Sequence, residues 1–549
     1  MKKVFLSLCF LMLFQQISFS QKAKSNEQPK LVVGIVVDQM RYDYLYRYWE
    51  KYGNDGFKKL MNEGFNCKNT SFNYMPTFTA PGHASIYTGA TPSIHGIIGN
   101  NWYVLKEKRK IYCTDDANVK TVGSHTLAGV MSPANMLTTT ITDELKISSN
   151  FKSKVIGISL KDRGAILPAG HSADAAYWYD SETGNWISST HYMAELPAWV
   201  KQFNNKKLPS KYLSSPWNTL LPIAQYKESF ADDNPFEEAF NGQDKPVFPH
   251  NLPEIVKLKG LGLLRETPFG NTFTKDFVME TVINENLGKG ENTDFIAVSF
   301  SSPDYIGHQF GTHSIEIQDN YLRLDKDIAE LIAFLDKQVG KENYLIFLTA
   351  DHGAAHNPGF LNHNKMPAGI FDSSKPLADL RQLLNEKYGK GDWILSYYNE
   401  QFTFNRKLIF EKGIDLYQMQ QFAKQYLINY PNISNVYTSQ ELSTSDFVHK
   451  PASLVQAGFH QQRSGDVAIV LEPGWMEFNI KGTTHGTVYN YDTHVPLIWY
   501  GWKIKKGETS EPYFITDIAP TLSVILKVSM PNGNTGTPIN AVLNPLYKK

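Results

Sequence analysis

The sequence predicts a large α/β domain with a mixed, mostly parallel sheet between layers of helices. Apolar runs that are short, continuous and rich in Val and Ile are typical of parallel strands buried on both faces. Four such runs are Leu31 to Val37, Val155 to Leu160, Phe295 to Phe300 and Tyr344 to Thr349, and a fifth is Val495 to Tyr500. Helical periodicity between the runs, as in Tyr321 to Lys337, indicates strand–helix alternation.

Polar side chains follow each of the first four runs. They are Asp38 after the first run, Lys161 and Arg163 after the second, Asp304 and His308 after the third, and Asp351 and His352 after the fourth. Because ligands of open α/β sheets bind at the carboxyl ends of the strands, we expect these side chains to meet at one edge. Lys161 and Arg163 are two residues apart, so at an extended strand end they would face the same side.

Two segments are predicted to be insertions that cap this core. The segment at about 168–287 is aromatic and Pro-rich, has many turn signals and lacks a strand–helix rhythm. The segment at about 376–477 contains two strand-like runs, Trp393 to Tyr398 and Gln401 to Phe404, before a helix-like stretch, Asp415 to Tyr430. We therefore expect residues 21–549 to form one catalytic domain with two inserted cap segments.

The composition limits the kinds of partner. The chain has 549 residues, and its 54 Lys and Arg balance its 54 Asp and Glu, so no overall charge favours nucleic acid or an anionic membrane. Hydrophobic residues at 42% and charged residues at 20% are ordinary for a soluble protein. We expect a small-molecule substrate attracted by local charges, and no nucleic-acid partner.

The first twenty residues have the pattern of a signal peptide. Lys2 and Lys3 precede an apolar run from Val4 to Phe14, and small residues follow near position 20. No later stretch reaches about 20 apolar residues, the length that a membrane span needs. We predict a periplasmic or secreted protein without stable membrane insertion. In that compartment Cys67 and Cys113 could form a disulfide, which the sequence alone leaves open.

The polar residues at the strand ends, together with His485, have the chemistry of a metal centre. Carboxylates and imidazoles without a nearby thiolate suit zinc, and less specifically manganese or iron. Six such residues could fill two sites of three ligands each: Asp38, Asp304, His308, Asp351, His352 and His485. Taken singly, each of these residues could have a structural role instead of binding metal. Asp38 could be a helix N-cap, and Asp304 and His308 could be an ordinary surface pair. Their joint occurrence at four strand ends favours the metal centre.

These residues lie in motifs that resemble the alkaline phosphatase superfamily, specifically its monomeric, phosphate-irrepressible bacterial branch with a threonine nucleophile, the PafA type. The motifs are Val-Val-Asp38-Gln-Met-Arg, Thr79-Ala-Pro-Gly-His83, Gly99-Asn100-Asn101, Lys161-Asp-Arg163, Asp304-Tyr-Ile-Gly-His308, Asp351-His352-Gly and Thr484-His485-Gly. The resemblance runs through most of the mature chain. It implies an alkaline-phosphatase-like fold and leans towards a monomer.

The resemblance also implies roles for individual residues. Asp304, His308 and His485 would hold one zinc ion, and Asp38, Asp351, His352 and the Thr79 oxygen would hold the other. Asn100, Lys161 and Arg163 would contact the phosphoryl oxygens. Thr77 is a competing hydroxyl, but the resemblance places the nucleophile at Thr79. Of the remaining histidines, His83 is the one we expect to orient a metal ligand without binding the metal itself.

The implied charges favour a phosphate monoester as substrate. A metal ion lowers the pKa of a bound oxygen by many units, to roughly 7 for water on zinc. A coordinated threonine could therefore act as an alkoxide and form a phosphothreonine. Two zinc ions would be balanced by three aspartates and this alkoxide, which leaves Lys161 and Arg163 as surplus positive charge. A dianionic monoester matches that surplus better than a diester does.

Three other functions fit these motifs less well. A sulfatase needs a Cys or Ser that opens a C/S-x-P-x-R segment, whereas Thr79-Ala-Pro-Gly-His83 has neither the convertible residue nor the Arg. A nucleotide pyrophosphatase or phosphodiesterase shares the metal ligands and the threonine, but Lys161 and Arg163 argue against it as the main activity. A non-catalytic, zinc-stabilised protein that binds phosphorylated ligands would not need Thr79.

Overall fold

The structure, a computed structural model, describes residues 27–547, so the predicted signal peptide lies outside the described residues. Continuous apolar sequence forms the buried central strands, and shorter polar strands lie outside them. Strands β1 to β19 are, in chain order, Leu31–Val37, Phe65–Ser71, Asn101–Val104, Arg109–Tyr112, Thr121–Val122, Val155–Ser159, Ala175–Asp180, Asn185–Ser189, Asp294–Phe300, Tyr344–Thr349, Gly369–Ile370, Ile394–Tyr398, Gln401–Phe404, Ile433–Thr438, Val467–Leu471, Trp475–Met476, His494–Val495, Leu497–Gly501 and Gly507–Phe514.

The helices pack around the strands. Helices α1 to α21 are, in chain order, Tyr44–Arg47, Phe57–Glu63, Thr79–Thr88, Pro92–His95, Ile141–Ser148, Asp162–Ala169, Ala198–Asn205, Leu208–Tyr212, Leu252–Lys259, Phe269–Asn284, Ser302–Phe310, Ile315–Gln338, Pro358–His363, Ser374–Tyr388, Arg406–Glu411, Leu416–Leu427, Ser439–Thr444, Ala452–Gly458, Asn490–Thr493, Ile518–Leu526 and Asn540–Tyr547. Short 3-10 helices span Trp49–Lys51, Leu127–Gly129, Ile223–Gln225, Gly260–Glu266 and Ile515–Asp517. In residues 27–547 no helix is both long and apolar enough to cross a membrane.

Eleven strands form the main sheet, in the order β17-β2-β18-β10-β1-β9-β6-β7-β8-β5 with β19 paired to β2. The five central strands, β10, β1, β9, β6 and β7, run parallel. Every residue of β1, β9 and β10 is buried, as expected for strands covered by helices on both faces. The predicted fold class, a mixed and mostly parallel sheet between helices, is confirmed.

Two local predictions about the core are wrong. The run at Val495 to Tyr500 was expected to be parallel like the first four, but β18 pairs antiparallel with β10. Lys161 and Arg163 were expected to share one face of an extended strand end. Instead β6 ends at Ser159, Lys161 is the residue before α6, and Arg163 lies in the first turn of that helix.

The two segments predicted as insertions differ in how they join the core. The first, at about 168–287, supplies β7 and β8 to the main sheet and ends in the long helix α10. The second, at about 376–477, contains a separate four-stranded sheet, β12-β13-β15-β14, with its own buried cluster around Trp393 and Phe404. The domain boundaries stay a prediction.

Cys67 and Cys113 are buried free thiols in different apolar clusters, so the structure has no disulfide between them.

Candidate metal centre and active site

The polar residues that follow four neighbouring strands meet at one edge of the main sheet. In the sheet the order is β10, β1, β9 and β6, so their carboxyl ends lie side by side. Asp38 directly follows β1, Asp351 and His352 follow β10, Asp304 and His308 lie in α11 after β9, and Lys161 precedes α6 after β6. His485 reaches the same place on the loop between β16 and α19.

The candidate ligands form two clusters that share His352. Asp38, Asp351 and His352 each offer one ligand atom within 4.8 Å of the others, and Asp304, His352 and His485 do the same. His308 stands beside the second cluster, with its Nε2 3.1 Å from Asp304 Oδ1. The His352 and His485 rings are stacked, with centroids 3.4 Å apart. The six residues therefore line one continuous candidate metal site.

The three histidines are oriented as metal ligands are. In each ring Nδ1 donates to a backbone carbonyl oxygen: His308 to Thr483 at 2.8 Å, His352 to Gly353 at 2.9 Å and His485 to Thr77 at 2.7 Å. This fixes the proton on Nδ1 and leaves Nε2 with a lone pair that faces the carboxylates. A lone pair that faces a carboxylate oxygen is repelled unless a proton or a metal ion lies between them.

Buried polar atoms in this site lack the hydrogen bonds that such atoms normally make. Oδ1 of Asp38, Oδ2 of Asp351 and Nε2 of His352 are buried and make no hydrogen bond. Unpaired buried charge is strongly unfavourable, so these atoms fit cation ligands rather than a packed core. Burial, followed by the nearby Asp351, raises the pKa of Asp38 well above its usual value, so a cation is needed to keep it ionised.

Lys161 is the cation that contacts the aspartates in this structure. Its Nζ lies 2.6 Å from both Asp38 Oδ2 and Asp304 Oδ2, and 3.5 Å from Thr79 Oγ1. Burial alone would lower the pKa of Lys161, but the carboxylates of Asp304 and Asp38 raise it above the ordinary value. One ammonium group balances only part of three buried carboxylates, and the remaining negative charge fits divalent ions.

Thr79 is the first residue of α3 and is buried next to the two clusters. Its position at a helix N-terminus favours negative charge on the side-chain oxygen. Asn100 lies beside it, because Asn100 Oδ1 accepts the backbone N–H of Ala80 at 3.0 Å. His83 lies below Thr79 with both ring nitrogens bonded, to Thr79 O and Ser299 Oγ, each at 2.9 Å. Burial lowers the pKa of His83 to about 4, so it is a neutral supporting group.

Arg163 faces a cavity next to the clusters rather than the ligands themselves. Its Nη1 donates to Tyr112 OH at 2.8 Å, while its buried Nε makes no hydrogen bond.

Sequence reasoning gave no role to Gln39, which contacts two candidate ligands. Its backbone N–H donates to Asp351 at 3.2 Å and its side-chain amide to Asp304 at 2.7 Å. The only signal in the sequence was its place directly after Asp38.

The whole chain has close relatives among characterised proteins. Residues 32–495 match the family model of type I phosphodiesterase / nucleotide pyrophosphatase. Alkaline phosphatase PhoV from Synechococcus elongatus is 46% identical over 553 residues, 99% of this chain and 100% of PhoV. Alkaline phosphatase PafA from Elizabethkingia meningoseptica is 45% identical over 529 residues, 95% of this chain and 96% of PafA. The chain belongs to the PafA-type branch of the alkaline phosphatase superfamily.

Family membership is supported by the fold as well. The crystal structure of wild-type PafA superposes with a TM-score of 0.91 at 45% identity, covering 94% of this chain and 99% of that one. A second PafA structure is of a variant in which a threonine, an asparagine, a lysine and an arginine are substituted. A protein from Myroides odoratus named calcium-transporting ATPase is 47% identical over 521 residues, 94% of this chain and 95% of its own length. The resemblance read from the motifs is confirmed.

Proposed function

We propose that this protein is an exported alkaline phosphatase that hydrolyses phosphate monoesters through a phosphothreonine at Thr79, with two zinc ions bound by the clustered aspartates and histidines. The observation that carries the proposal is the position of Thr79. Its hydroxyl lies at a helix N-terminus, 3.5 Å from Lys161 Nζ, beside two groups of buried ligand atoms. The PafA and PhoV relatives, which are alkaline phosphatases by name, support the same reaction.

In this proposal Asp38, Asp351 and His352 would hold one ion together with the Thr79 oxygen, and Asp304, His308 and His485 would hold the other. Bound zinc would supply the positive charge that lowers the pKa of a coordinated hydroxyl and stabilises a leaving oxygen. Zinc fits because the ligands are only carboxylates and imidazoles, and on each ring Nδ1 is bonded to a backbone carbonyl oxygen while Nε2 faces the carboxylates.

The residues of the chain then carry the two half-reactions. The Thr79 hydroxyl loses its proton, and Oγ attacks phosphorus as the bond from phosphorus to the ester oxygen breaks. The ester oxygen leaves with its carbon group, takes up a proton as an alcohol, and a phosphothreonine remains. Water then attacks the same phosphorus and releases inorganic phosphate and the free Thr79 hydroxyl. Lys161, Arg163 and Asn100 hold the nonbridging oxygens during both steps, because all three lie beside Thr79 or line the adjoining cavity.

The charges around Thr79 favour monoesters over diesters. Lys161 and Arg163 offer two positive charges to the phosphoryl group, which matches a dianionic monoester. The family model, named for phosphodiesterases and nucleotide pyrophosphatases, makes diester hydrolysis the second candidate. Purified protein should hydrolyse an aryl phosphate monoester far faster than the matching diester or sulfate ester. A diester rate equal to the monoester rate would contradict the monoesterase proposal.

A matched pair of variants tests the nucleophile. Thr79→Val removes the hydroxyl while keeping the size of the side chain, and should abolish turnover but leave zinc content and phosphate binding. Thr77→Val is the control, because the Thr77 hydroxyl donates to the carbonyl oxygen of Thr487 at 3.1 Å and plays no part in the proposed chemistry. Near-normal activity of Thr79→Val would show that another group attacks phosphorus, or that the protein has no covalent step.

The metal and the export are tested separately. Chelation should remove activity, and added zinc should restore it with two ions per chain by elemental analysis. Restoration by magnesium or calcium alone would contradict the assignment of zinc. Export rests on Lys2, Lys3 and the apolar run after them. N-terminal sequencing of protein from the periplasm or medium should find cleavage near residue 20, and an intact Met1 would contradict a signal peptide.

A further inference from the structure

A cavity of about 460 Å³ opens beside the candidate phosphoryl site. Lys161 and Arg163 form part of its wall, and Arg265, Tyr305 and Trp178 form another part. Since Lys161 Nζ lies 3.5 Å from Thr79 Oγ1, a substrate whose phosphorus is next to Thr79 can extend its remaining atoms into this space. The cavity is therefore placed to receive the leaving group.

Arg265 supplies a positive charge to this cavity that no carboxylate neutralises. The side chain is partly buried, and its hydrogen bonds go to neutral oxygens: Nη1 to Tyr305 OH at 3.3 Å and Nε to Gly262 O at 3.5 Å. Within residues 27–547 no Asp or Glu oxygen lies within 4.0 Å of its guanidinium group. A partly buried guanidinium without a counter-ion is a ready partner for a substrate anion.

Tyr305 connects Arg265 to the phosphoryl site. The Arg265 guanidinium carbon and the Lys161 ammonium each lie 5.0 Å from the centroid of the Tyr305 ring. Tyr305 directly follows the candidate ligand Asp304 in α11, so its backbone lies beside the candidate metal site. One substrate could thus place its phosphoryl group at Lys161 and a second anionic group at Arg265.

The carboxylates that line the same cavity are already engaged. Asp162 Oδ1 accepts from Tyr112 OH at 2.6 Å, and Asp180 Oδ1 accepts from the backbone N–H of Glu182 at 3.0 Å. The Glu182 carboxylate, whose side chain is 70% exposed, lies 3.3 Å from His125 at the rim. The hydrogen-bonding capacity of Asp162 and Asp180 is thus used by neutral donors, whereas the guanidinium groups of Arg163 and Arg265 have no carboxylate oxygen within 4.0 Å in residues 27–547 and keep donors for a ligand.

We propose that this cavity is a leaving-group subsite, and that Arg265 selects phosphate monoesters whose leaving group carries a second anionic group, a carboxylate or a phosphate. The inference rests on the proposed phosphomonoesterase function and specifies its substrate class. Arg265 acts by binding substrate, while Lys161 and Arg163 bind the phosphoryl group that is transferred. Monoesters with neutral leaving groups remain substrates but gain nothing from Arg265.

The test compares two aryl substrates that differ only at the far end of the ring, phenyl phosphate and 4-carboxyphenyl phosphate. Arg265→Gln should lower kcat/KM for the carboxylated ester about tenfold relative to phenyl phosphate, the scale of one lost charge-assisted hydrogen bond. Arg265→Lys keeps the charge but loses the planar fork, and should give an intermediate ratio. Inhibition by inorganic phosphate should stay unchanged, since Arg265 does not contact the transferred group.

Arg109→Gln is the matched control. Arg109 is an exposed residue of β4 paired with Glu107 at 2.6 Å, and it does not line the cavity. It should leave the ratio between the two substrates at the wild-type value. An equal fall for both substrates in Arg265→Gln, or an unchanged ratio, would overturn the subsite. If Arg265→Gln does not fold, the test rests on Arg265→Lys: a fall in the ratio of kcat/KM for the carboxylated ester to that for phenyl phosphate supports the subsite, and an unchanged ratio overturns it. If wild-type protein cleaves neither ester, the proposed function itself fails.

Discussion

Replacing Gly82 with alanine would test how closely the helix that carries Thr79 must approach the metal ligands. Gly82 lies in α3, one turn after Thr79, and a Cβ there would be 2.3 Å from the carbonyl oxygen of Asp351 and 2.8 Å from its Cβ. Ordinary contacts begin near 3.4 Å, so α3 and Asp351 must separate by about 1 Å. Because Thr79 and Asp351 lie on the two sides of this contact, the shift moves the nucleophile away from its proposed metal site.

A displacement of about 1 Å at reacting groups can cost roughly 100-fold in rate, so we expect kcat for an aryl phosphate to fall by that order. Overpacking should also reduce the free energy of unfolding by about 1–3 kcal/mol. The assays are steady-state kinetics at saturating zinc and urea unfolding. Gly290→Ala is the control, because a Cβ there finds its nearest neighbour at 4.0 Å. Wild-type kcat in Gly82→Ala would refute the idea that this close approach positions Thr79.

Three further predictions concern stability. Asn357 donates to the carbonyl oxygens of Ile480 at 2.9 Å and Gly482 at 2.7 Å, on the loop that carries His485. Asn357→Asp should therefore lower the free energy of unfolding in urea by about 1–3 kcal/mol and weaken zinc retention. Unchanged zinc retention would contradict this prediction. Trp186 stacks on Phe273 and Phe277, with centroids 5.0 and 4.5 Å away, and Trp186→Ala should cost about 3–5 kcal/mol without changing kcat. Burial alone would lower the pKa of His171, but the hydrogen bond with Asp143 raises this pKa above the ordinary value. The protonated ring therefore stabilises the folded protein at low pH, and this stabilisation is lost as the pH rises through the raised pKa. His171→Gln should therefore lose more stability at about pH 5 than at about pH 9, and an equal loss at both pH values would disprove this.

The central parallel strands and the polar residues at their carboxyl ends could be predicted from the sequence. Four continuous apolar runs became neighbouring parallel strands, and the polar residues after them met at one edge because parallel strands share their carboxyl ends. The direction of β18 was not predictable in this way, since an antiparallel strand buried on both faces has the same apolar pattern as a parallel one. Pairing direction depends on the path of the chain, which the run itself does not encode.

Details of the site depended on backbone geometry that residue types do not show. Because α6 starts at Asp162, Lys161 and Arg163 do not lie on an extended strand end, although both still line the same cavity. The acidic residue at 162 is a typical helix start and was the available signal. Gln39 reaches both Asp304 and Asp351 because its φ is 63°, a left-handed conformation that is uncommon for glutamine. The separation of Cys67 from Cys113 follows from their packing in different clusters, which no sequence spacing indicates.

The candidate ligands are spread over the chain from Asp38 to His485, and the last of them follows the four-stranded sheet of β12 to β15. No fragment that ends before residue 485 contains the complete set. A prematurely terminated or proteolysed chain therefore lacks at least one ligand, however well its first strands fold. In the proposed two-ion enzyme, truncated chains should therefore bind less metal than intact ones, which elemental analysis of a preparation would detect.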